Sequence, residues 1–431
     1  MICDNLSINS SGHLCFAGYD TVELAQKYGT PLYLMDENKI REHMREYKTA
    51  FEKYFPKGSC PEYASKAFSC KQVYRIAKEE GLNIDVVSMG EIYTARTAGY
   101  PMENCFFHGN NKTDKEIAFA MESGVGCIVA DSNEELLTIE RIAAQKGITQ
   151  KILLRVTPGI DTHTHEKIST GNVDSKFGIA IDTNQAKETV GKILKLKNID
   201  FAGFHCHIGS QIFESEPFDL ASELMFRFIK DIKNTYGYTP RILNLGGGFG
   251  VRYVESDPKI SFTEKIAEIA EILKKQSNAF QIEIPKIAME PGRSIVADAG
   301  LTLYSVGSVK EITGYKNYVS IDGGMTDNPR YTLYESPYTV LLANRAGEKS
   351  DFCATIAGRC CEEGDVIQEN VMLPKPNRND ILAVLTTGAY NYSMASNYNR
   401  VPRPPVVMLN ENGDYVAVKR ETLEDICLLD V

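Results

Sequence analysis

From about residue 60 onward, short apolar runs alternate along the chain with stretches in which apolar positions recur at helical spacing. Several of the short runs are almost continuously apolar, which is typical of strands covered on both faces. The runs are CPEYASK, NIDVVS, NCFFHG, GCIVADS, KILLRV, DFAGFHCHI, RILNLGG and KIAMEPG. The pattern predicts eight strands, each followed by a helix.

Two of the intervening stretches carry clear helix signals. In SNEELLTIERIAAQKG, Ser132 and Glu135 predict a capping box at the start, and Gly147 predicts the end. In TEKIAEIAEILKK, one helical face holds the apolar residues Ile266, Ile269, Ile272 and Leu273. Eight strand–helix units favour a (β/α)8 TIM-type barrel. A doubly wound open sheet stays an alternative, because the number of strands does not establish closure.

After about residue 295 the pattern changes to short β-type runs separated by Gly, Asn, Asp and Pro. These runs are LTLYSVGSVKEI, NYVSID, FCATIAG, ILAVLTTG and DYVAVKR. They predict an all-β C-terminal domain, and the early run TPLYLMD is a candidate to pair with its sheet. We therefore predict a barrel over residues 36–295 and a β-domain built from residues 1–35 and 296–431.

Composition and charge exclude several kinds of partner. The net charge of -10 would repel phosphates, so we expect neither nucleic acid nor an anionic membrane surface as a partner. The opening residues MICDNLSINS show no secretory signal, and no apolar run is long enough to span a bilayer. The 11 cysteines are scattered without a Cys-x-x-Cys pair, which suggests reduced thiols. We therefore expect a cytoplasmic protein.

Polar residues follow several of the predicted strands, at the end where barrel active sites form. The glycines of LNLGGGFG let backbone N–H groups approach an anion, and Ser210 and Arg293 would add side-chain donors. Together they form a candidate phosphate site, although a triple glycine alone is more often only a tight turn.

Lys66 and Glu290 end two further strands and suggest a cofactor. Burial of Lys66 within YASKAF would lower the pKa of its amine and make it nucleophilic toward a carbonyl. A phosphate site beside such a lysine describes pyridoxal phosphate, and a carboxylate at Glu290 would keep the pyridine nitrogen protonated. The alternatives are a surface lysine and a rim glutamate paired with Arg293.

The stretch GFHCHIGSQI contains two histidines on one side of a strand. His205 and His207 together would supply two zinc ligands, but without a third ligand nearby this is weak evidence for a metal, and we predict none. We expect the His207 ring to lie on the pyridine ring, and His205 to be a packed neighbour.

An ordered set of motifs from about residue 30 to the C-terminus resembles the diaminopimelate decarboxylases, pyridoxal-phosphate enzymes of the alanine-racemase-like fold. The motifs are YASKAF, DVVSMGE, HEKISTGNVDSKFGIA, GFHCHIGSQI, LNLGGGFG, EPGRS, IDGGMTDNPRYTLY, CCEEGD and GAYNYSMASNYN. The resemblance implies decarboxylation of meso-2,6-diaminopimelate to L-lysine and CO2. It also implies a homodimer whose active sites are shared between subunits.

The resemblance assigns a role to each candidate residue. Lys66 would carry the cofactor covalently, His207 would stack on it, and Glu290 would hold its pyridine nitrogen. The residues implied around the phosphate are Ser210, Gly247, Gly248, Gly292, Arg293 and Tyr390. Cys361 would be the proton donor contributed by the partner subunit. The residues implied in substrate binding are Arg293, Arg330, Tyr334, Glu362 and Tyr390.

Three departures from the usual motifs and several rival functions stay open. Tyr331 and Glu363 replace a common Pro and Ser, and Arg359 and Cys360 precede Cys361. Cys360 is therefore an alternative donor. The rival substrates are ornithine, lysine, arginine and carboxynorspermidine, whose decarboxylases lack the combination of Arg330 with Glu362. A racemase and a non-catalytic barrel are the rivals from other classes.

Overall fold

The computed structural model describes residues 1–159 and 175–431. These residues form two compact units, which we call the β-unit and the barrel unit. The β-unit contains residues 1–42, 251–259 and 293–431, and the barrel unit contains residues 43–250 and 260–292. The domain limits given above, 36–295 with 1–35 and 296–431, stay a prediction.

The chain begins with a small antiparallel sheet of three strands, β1 (Leu6–Ile8), β2 (Leu14–Phe16) and β3 (Tyr19–Asp20). Asp20 then caps α1 (Thr21–Tyr28), because its carboxylate accepts a hydrogen bond from the Val22 N–H. Strand β4 (Leu32–Asp36) and helix α2 (Glu37–Tyr54) follow.

The barrel unit contains a closed ring of eight parallel strands. The strands are β5 (Cys60–Ala64), β6 (Asn83–Val86), β7 (Cys105–Phe107), β8 (Cys127–Ala130), β9 (Gln150–Thr157), β11 (Ile199–His205), β12 (Ile242–Asn244) and β13 (Lys286–Met289), with the short β10 (Ile179–Ala180) beside β9. The ring closes because β8 pairs with β9 and β13 pairs with β5. Six of the eight strands lie within the predicted runs, and the other two, β9 and β11, overlap their runs and extend one residue beyond at the ends. The barrel prediction is therefore confirmed, and the open-sheet alternative is wrong.

Helices of 9 to 21 residues follow seven of these strands. They are α3 (Lys71–Glu80), α4 (Met89–Thr97), α5 (Asp114–Glu122), α6 (Asn133–Lys146), α7 (Gln185–Ile193), α8 (Glu216–Tyr236) and α9 (Phe262–Phe280). On α9, Ile266, Ile269 and Leu273 are buried as predicted, whereas Ile272 is only half-buried. Among the described helices, none is long and apolar enough to cross a bilayer.

The predicted capping box of α6 is only half formed. The Ser132 hydroxyl accepts the Glu135 N–H at 3.2 Å, and Gly147 ends the helix in the left-handed conformation. The Glu135 carboxylate instead accepts a hydrogen bond from the Lys112 ammonium at 2.7 Å. A buried ammonium needs a charged partner more than an exposed amide does, so Lys112 takes the carboxylate.

The β-unit is rich in sheet, as predicted. Its further strands are β14 (Gly300–Glu311), β15 (Asn317–Ile321), β16 (Val340–Leu342), β17 (Phe352–Ala357), β18 (Val366–Leu373), β19 (Ile381–Leu385), β20 (Val406–Asn410) and β21 (Gly413–Val418). Its short helices are α10 (Arg293–Val296), α11 (Arg330–Tyr334) and α12 (Leu423–Cys427). The run TPLYLMD joins this sheet, because β4 pairs with β14 and β20.

Candidate active site

Lys66 lies directly beyond β5, in a single 3-10 turn over Ser65–Ala67. Its side chain is 39% exposed, and its Nζ lies 4.0 Å from the Asp85 carboxylate. Lys66 is therefore half-buried, between the buried amine and the surface lysine considered above.

Glu290 follows β13 and lies buried between two histidines. Its Oε1 is 2.8 Å from the His205 Nε2 and 3.5 Å from the His108 Nε2. Burial opposes ionisation of Glu290, but the two histidines and Lys66 outweigh burial and hold its pKa well below the usual value. Burial also lowers the pKa of both histidines, that of His108 strongly. Glu290 therefore favours its ionised form, and the neighbours that stabilise this form are His205, His108 and Lys66.

Two further carboxyl groups lie inside the barrel. Burial raises the pKa of Glu62 and of Asp85 well above the usual values. The Glu62 Oε2 accepts a hydrogen bond from the Asn244 amide at 3.1 Å. The pKa shifts of these two acids and of Glu290 thus run in opposite directions inside one barrel.

Several buried polar atoms in this interior have no hydrogen-bond partner among the described residues. They are Glu290 Oε1, His108 Nε2, both ring nitrogens of His205, Glu62 Oε1 and both carboxylate oxygens of Asp85. The 2.8 Å contact between Glu290 and His205 therefore does not have the geometry of a hydrogen bond. Buried polar atoms are normally paired, so such a group points to a ligand with its own donors. A pyridine nitrogen that carries a proton fits the ionised Glu290, and the residues therefore fit pyridoxal phosphate.

The glycine segment packs tightly against its neighbours in the barrel unit. A Cβ on Gly247 would lie 2.2 Å from the Glu290 carbonyl oxygen, and one on Gly248 would lie 2.5 Å from the Gly209 carbonyl oxygen. The Gly247 N–H donates to the His207 Nδ1 at 3.2 Å, so a neutral His207 carries its proton on Nε2. Removal from water lowers the pKa of His207 well below its usual value, and Lys66 adds to this. The glycines therefore make room first for backbone and for this imidazole.

The histidine pair suggested for zinc does not act together. His205 lies with His108 and Glu290, whose potential ligand atoms fall within 4.8 Å of one another, whereas His207 accepts the Gly247 N–H. The group of His108, His205 and Glu290 would suit a metal ion. Glu290 cannot serve a metal and a pyridinium at once, so the two uses exclude each other.

In the β-unit, two buried arginines lie against tyrosine rings. The Arg293 Nη1 donates to the Tyr253 hydroxyl at 2.7 Å, and its guanidinium carbon lies 4.7 Å from the Tyr390 ring centre. The Arg330 guanidinium carbon lies 4.4 Å from the Tyr253 ring centre, and its Nη1 donates to the Tyr338 hydroxyl at 3.0 Å. Aromatic faces stabilise a guanidinium without neutralising it.

The remaining candidates in the β-unit are more exposed. Tyr334 lies four residues after Arg330 on α11, so both belong to the same helical face. Cys361 and Glu362 are exposed, and the Cys361 N–H donates to Asn399. Burial, followed by Asp365, raises the pKa of the half-buried Cys360 thiol to about 11. Cys361 is therefore the more accessible of the two thiols.

The residues that sequence reasoning missed are Glu62, Asp85, His108, Tyr253 and Tyr338. A signal existed for three of them: Glu62, Asp85 and His108 stand in or directly after otherwise apolar runs, where an ionisable group is unusual. The two tyrosines carry no local signal. Most of the motif HEKISTGNVDSKFGIA lies outside the described residues.

Residues 37–297 match the family described as "Pyridoxal-dependent decarboxylase, pyridoxal binding domain". The chain is 47% identical to the diaminopimelate decarboxylase of Bacillus subtilis and 48% identical to that of Bacillus methanolicus. Each alignment covers 98% of this chain, with 96% of the first relative and 98% of the second. The chain is thus a pyridoxal-phosphate-dependent decarboxylase.

A solved structure agrees with the sequence comparisons. The diaminopimelate decarboxylase of M. jannaschii, in a complex with L-lysine, matches with a TM-score of 0.92 at 32% identity. The match covers 100% of this chain and 98% of that chain. Within the class just given, this chain belongs to the diaminopimelate decarboxylase family.

Proposed function

We propose that Lys66, His207 and Glu290 form the cofactor-binding and catalytic centre of this enzyme. The chain is a pyridoxal-dependent decarboxylase that converts meso-2,6-diaminopimelate to L-lysine and CO2, the last step of lysine biosynthesis. The observation that carries the proposal is the ionised Glu290, buried 2.8 Å from His205 in the barrel that also bears Lys66.

Each of these residues then has a defined task. Bound pyridoxal phosphate supplies an electron sink for the electron pair left when the α-carboxylate departs as CO2. Lys66 would hold the cofactor covalently through its amine. Glu290 would accept a hydrogen bond from the protonated pyridine nitrogen, and the His207 ring would stack on the pyridine ring. Ser210, Gly247, Gly248 and Gly292 are the proposed phosphate contacts of the barrel unit.

The proposed contacts of the β-unit with cofactor and substrate are Arg293, Arg330, Tyr334, Tyr390 and Glu362. In the described part of the chain, no carboxylate lies within ion-pair distance of Arg330. Its planar guanidinium suits the distal carboxylate of the substrate, and Glu362 suits the distal ammonium. Decarboxylation leaves that distal end unchanged, so the L-lysine bound to the M. jannaschii relative is a ligand that carries both of these groups.

We further propose a cytoplasmic homodimer in which Cys361 returns the proton to the α-carbon in the partner's site. The exposure of Cys361 and Glu362 on a single chain supports a role at a subunit interface. All 11 cysteines are free thiols, which supports a reducing compartment.

The test is the release of CO2 and L-lysine from meso-diaminopimelate with added pyridoxal phosphate, beside ornithine, lysine and arginine. We expect selective lysine formation in the parent enzyme and a raised KM for diaminopimelate in Glu362→Gln, because the neutral amide no longer pairs with the distal ammonium. Glu363→Gln, a neighbouring exposed acid, is the matched control. A Glu362→Gln enzyme with the KM of the parent would refute the assigned contact.

A further inference from the structure

One buried carboxylate joins the two loops that carry the proposed substrate contacts. We call residues 322–329, which precede Arg330, the arginine loop, and residues 358–365 the cysteine loop. The Asp365 Oδ1 accepts the Met325 N–H of the arginine loop at 2.6 Å. Its Oδ2 accepts the Cys360 N–H of the cysteine loop at 2.7 Å. Asp365 is only 3% exposed.

Two glycines make room for this carboxylate. A Cβ on Gly358 would lie 2.2 Å from both Asp365 oxygens, and a Cβ on Gly324 would lie 2.6 Å from both. One of these glycines belongs to each loop. Neither needs a left-handed backbone, so the steric demand of the carboxylate is the reason that a larger residue does not fit.

The carboxylate is also buried without a cation. In the described residues, no Lys, Arg or His nitrogen forms an ion pair with Asp365, and two backbone N–H groups bond its oxygens. Burying a carboxylate is costly unless charge-assisted hydrogen bonds compensate for its lost hydration. A neutral amide at this position has a single oxygen and could accept only one of the two N–H groups, whereas a carboxylate accepts both, one from each loop.

Backbone contacts continue the same junction. The Arg359 N–H donates to the Gly323 carbonyl at 2.9 Å, and the Gly358 N–H donates to the Asp365 carbonyl at 2.8 Å. The Thr332 hydroxyl, on the helix of Arg330, donates to the Gly364 carbonyl at 2.9 Å. The arginine loop, α11 and the cysteine loop thus form one connected assembly.

We propose that Asp365 is a positioning residue that sets the place of Arg330 relative to Cys361 and Glu362. The inference rests on the roles assigned to those three residues under the proposed function. Asp365 itself would contact neither substrate nor cofactor. It fixes the distance between the distal-end contacts, Arg330 and Glu362, and the proton donor Cys361. A substrate bound at its distal end then has its α-carbon at a fixed position relative to the donor.

Asp365→Asn tests the proposal with almost no change of shape. The asparagine side chain keeps only one oxygen. Its NH2 group cannot accept a hydrogen bond and must face either the Met325 N–H or the Cys360 N–H, so one of the two hydrogen bonds is lost. We expect the KM for diaminopimelate to rise and kcat to fall, each by about tenfold, because a small misplacement is costly in catalysis. Cofactor absorbance should stay at the parent level. Alkylation of Cys361 should become faster relative to the exposed Cys353 of the same protein.

Gly358→Ala provides a second, independent variant, because its methyl group displaces the carboxylate without removing it. We expect it to reproduce the kinetic changes of Asp365→Asn, whereas Glu363→Gln in the same loop should match the parent enzyme. Parent values of KM and kcat in both test variants would overturn the proposal. A fall in activity that only tracks lost cofactor or lost thermal stability would also overturn it, because it would show a purely structural role.

Cys361→Ala and Glu362→Gln separate this inference from the proposed function. If both impair turnover and Asp365→Asn does not, only the positioning role is wrong. If both are silent, the assigned roles are wrong and the inference falls with them.

Discussion

The two units bury charge in different ways. In the barrel unit, carboxyl groups and imidazoles lie side by side, and the pKa of Glu290 is lowered while that of Asp85 is raised. In the β-unit, Arg293 and Arg330 lie against tyrosine rings and donate to phenolic hydroxyls. The first arrangement fixes proton states, and the second holds cations without neutralising them.

This difference indicates a division of labour between chemistry and recognition. A group that must exchange protons or hold a protonated ring needs neighbours that shift its pKa, as the histidines do for Glu290. A group that must recognise a carboxylate needs to keep its charge and its donor fork, which aromatic neighbours permit. Variants in the barrel unit should therefore affect the chemical step, and variants around Arg330 should mainly affect substrate affinity.

The largest expected effect is that of Lys66→Ala. Loss of the amine removes covalent attachment of the cofactor, so turnover should fall by at least about 10³-fold and the absorbance of bound cofactor should change. Lys71→Ala, at the exposed start of α3, is the matched control and should behave like the parent enzyme. A Lys66→Ala enzyme with substantial turnover would show that the barrel unit does not perform the chemistry as proposed.

Cys361→Ala should come next. We expect bound cofactor to be retained and kcat to fall by about 10² or more, because a positioned general acid contributes about 10²–10⁴-fold. Cys360→Ala should cost much less, since this thiol is half-buried and its pKa is raised to about 11. Steady-state kinetics of both variants decides the assignment. The reverse order of effects would move the donor to Cys360.

Arg330→Gln should act on affinity more than on rate. Hydrogen bonds to charged groups contribute about 1.5–3 kcal/mol, so the KM for diaminopimelate should rise by about 10- to 100-fold while kcat changes less. Arg378→Gln, an exposed arginine of the same unit, is the control. A dominant fall in kcat would contradict the division between recognition and chemistry.

The barrel could be predicted from the sequence because each parallel strand is covered on both faces and therefore forms a short apolar run. Each run can be recognised from its own residues without knowledge of the others. Glu290 and His207 could be proposed for the same reason, since position at a strand end is a local property. The partners of Glu290 could not be found in this way. His108 and His205 end different strands, and only closure of the barrel brings both to one carboxylate.

Exposure was predicted less well than position. The apolar residues around Lys66 suggested a buried amine. In the structure Lys66 lies in a single 3-10 turn, and its side chain is 39% exposed. In the β-unit, the stacking of Arg330 on Tyr253 joins residues 77 positions apart in the chain. Such contacts depend on how strands and loops assemble, and no periodicity in the sequence records them.

His108→Gln tests the proton states of the barrel unit through stability. The pKa of His108 lies well below its unfolded value of about 6.5, so below that pH the unfolded chain binds a proton that the folded chain does not. The stability of the parent enzyme should therefore fall as pH falls. The variant lacks this titrating group, so its stability should change with pH less steeply, by about 1.4 kcal/mol per pH unit. Urea unfolding at several pH values between 5 and 7 measures it. Glu62 and Asp85 face His108, and their contribution to stability changes with pH in the opposite direction. Both acids are present in the parent and in the variant, so this contribution is common to the two proteins.

Asp327→Asn makes the opposite prediction for the β-unit, with an effect on stability of similar size. Burial raises the pKa of Asp327 to about 7, against hydrogen bonds from Tyr304, Thr326 and the Gly324 N–H. The unfolded value is about 3.9, so between these limits the folded chain holds the extra proton and stability falls as pH rises. Asparagine cannot ionise, so the variant should gain stability relative to the parent as pH rises from 5 to 7. The slope should be about 1.4 kcal/mol per pH unit near pH 5 and about half of that at pH 7, where the pH reaches the folded pKa. The same urea series decides the matter: slopes of equal sign for the two variants would mean that the two units do not bury charge in different ways.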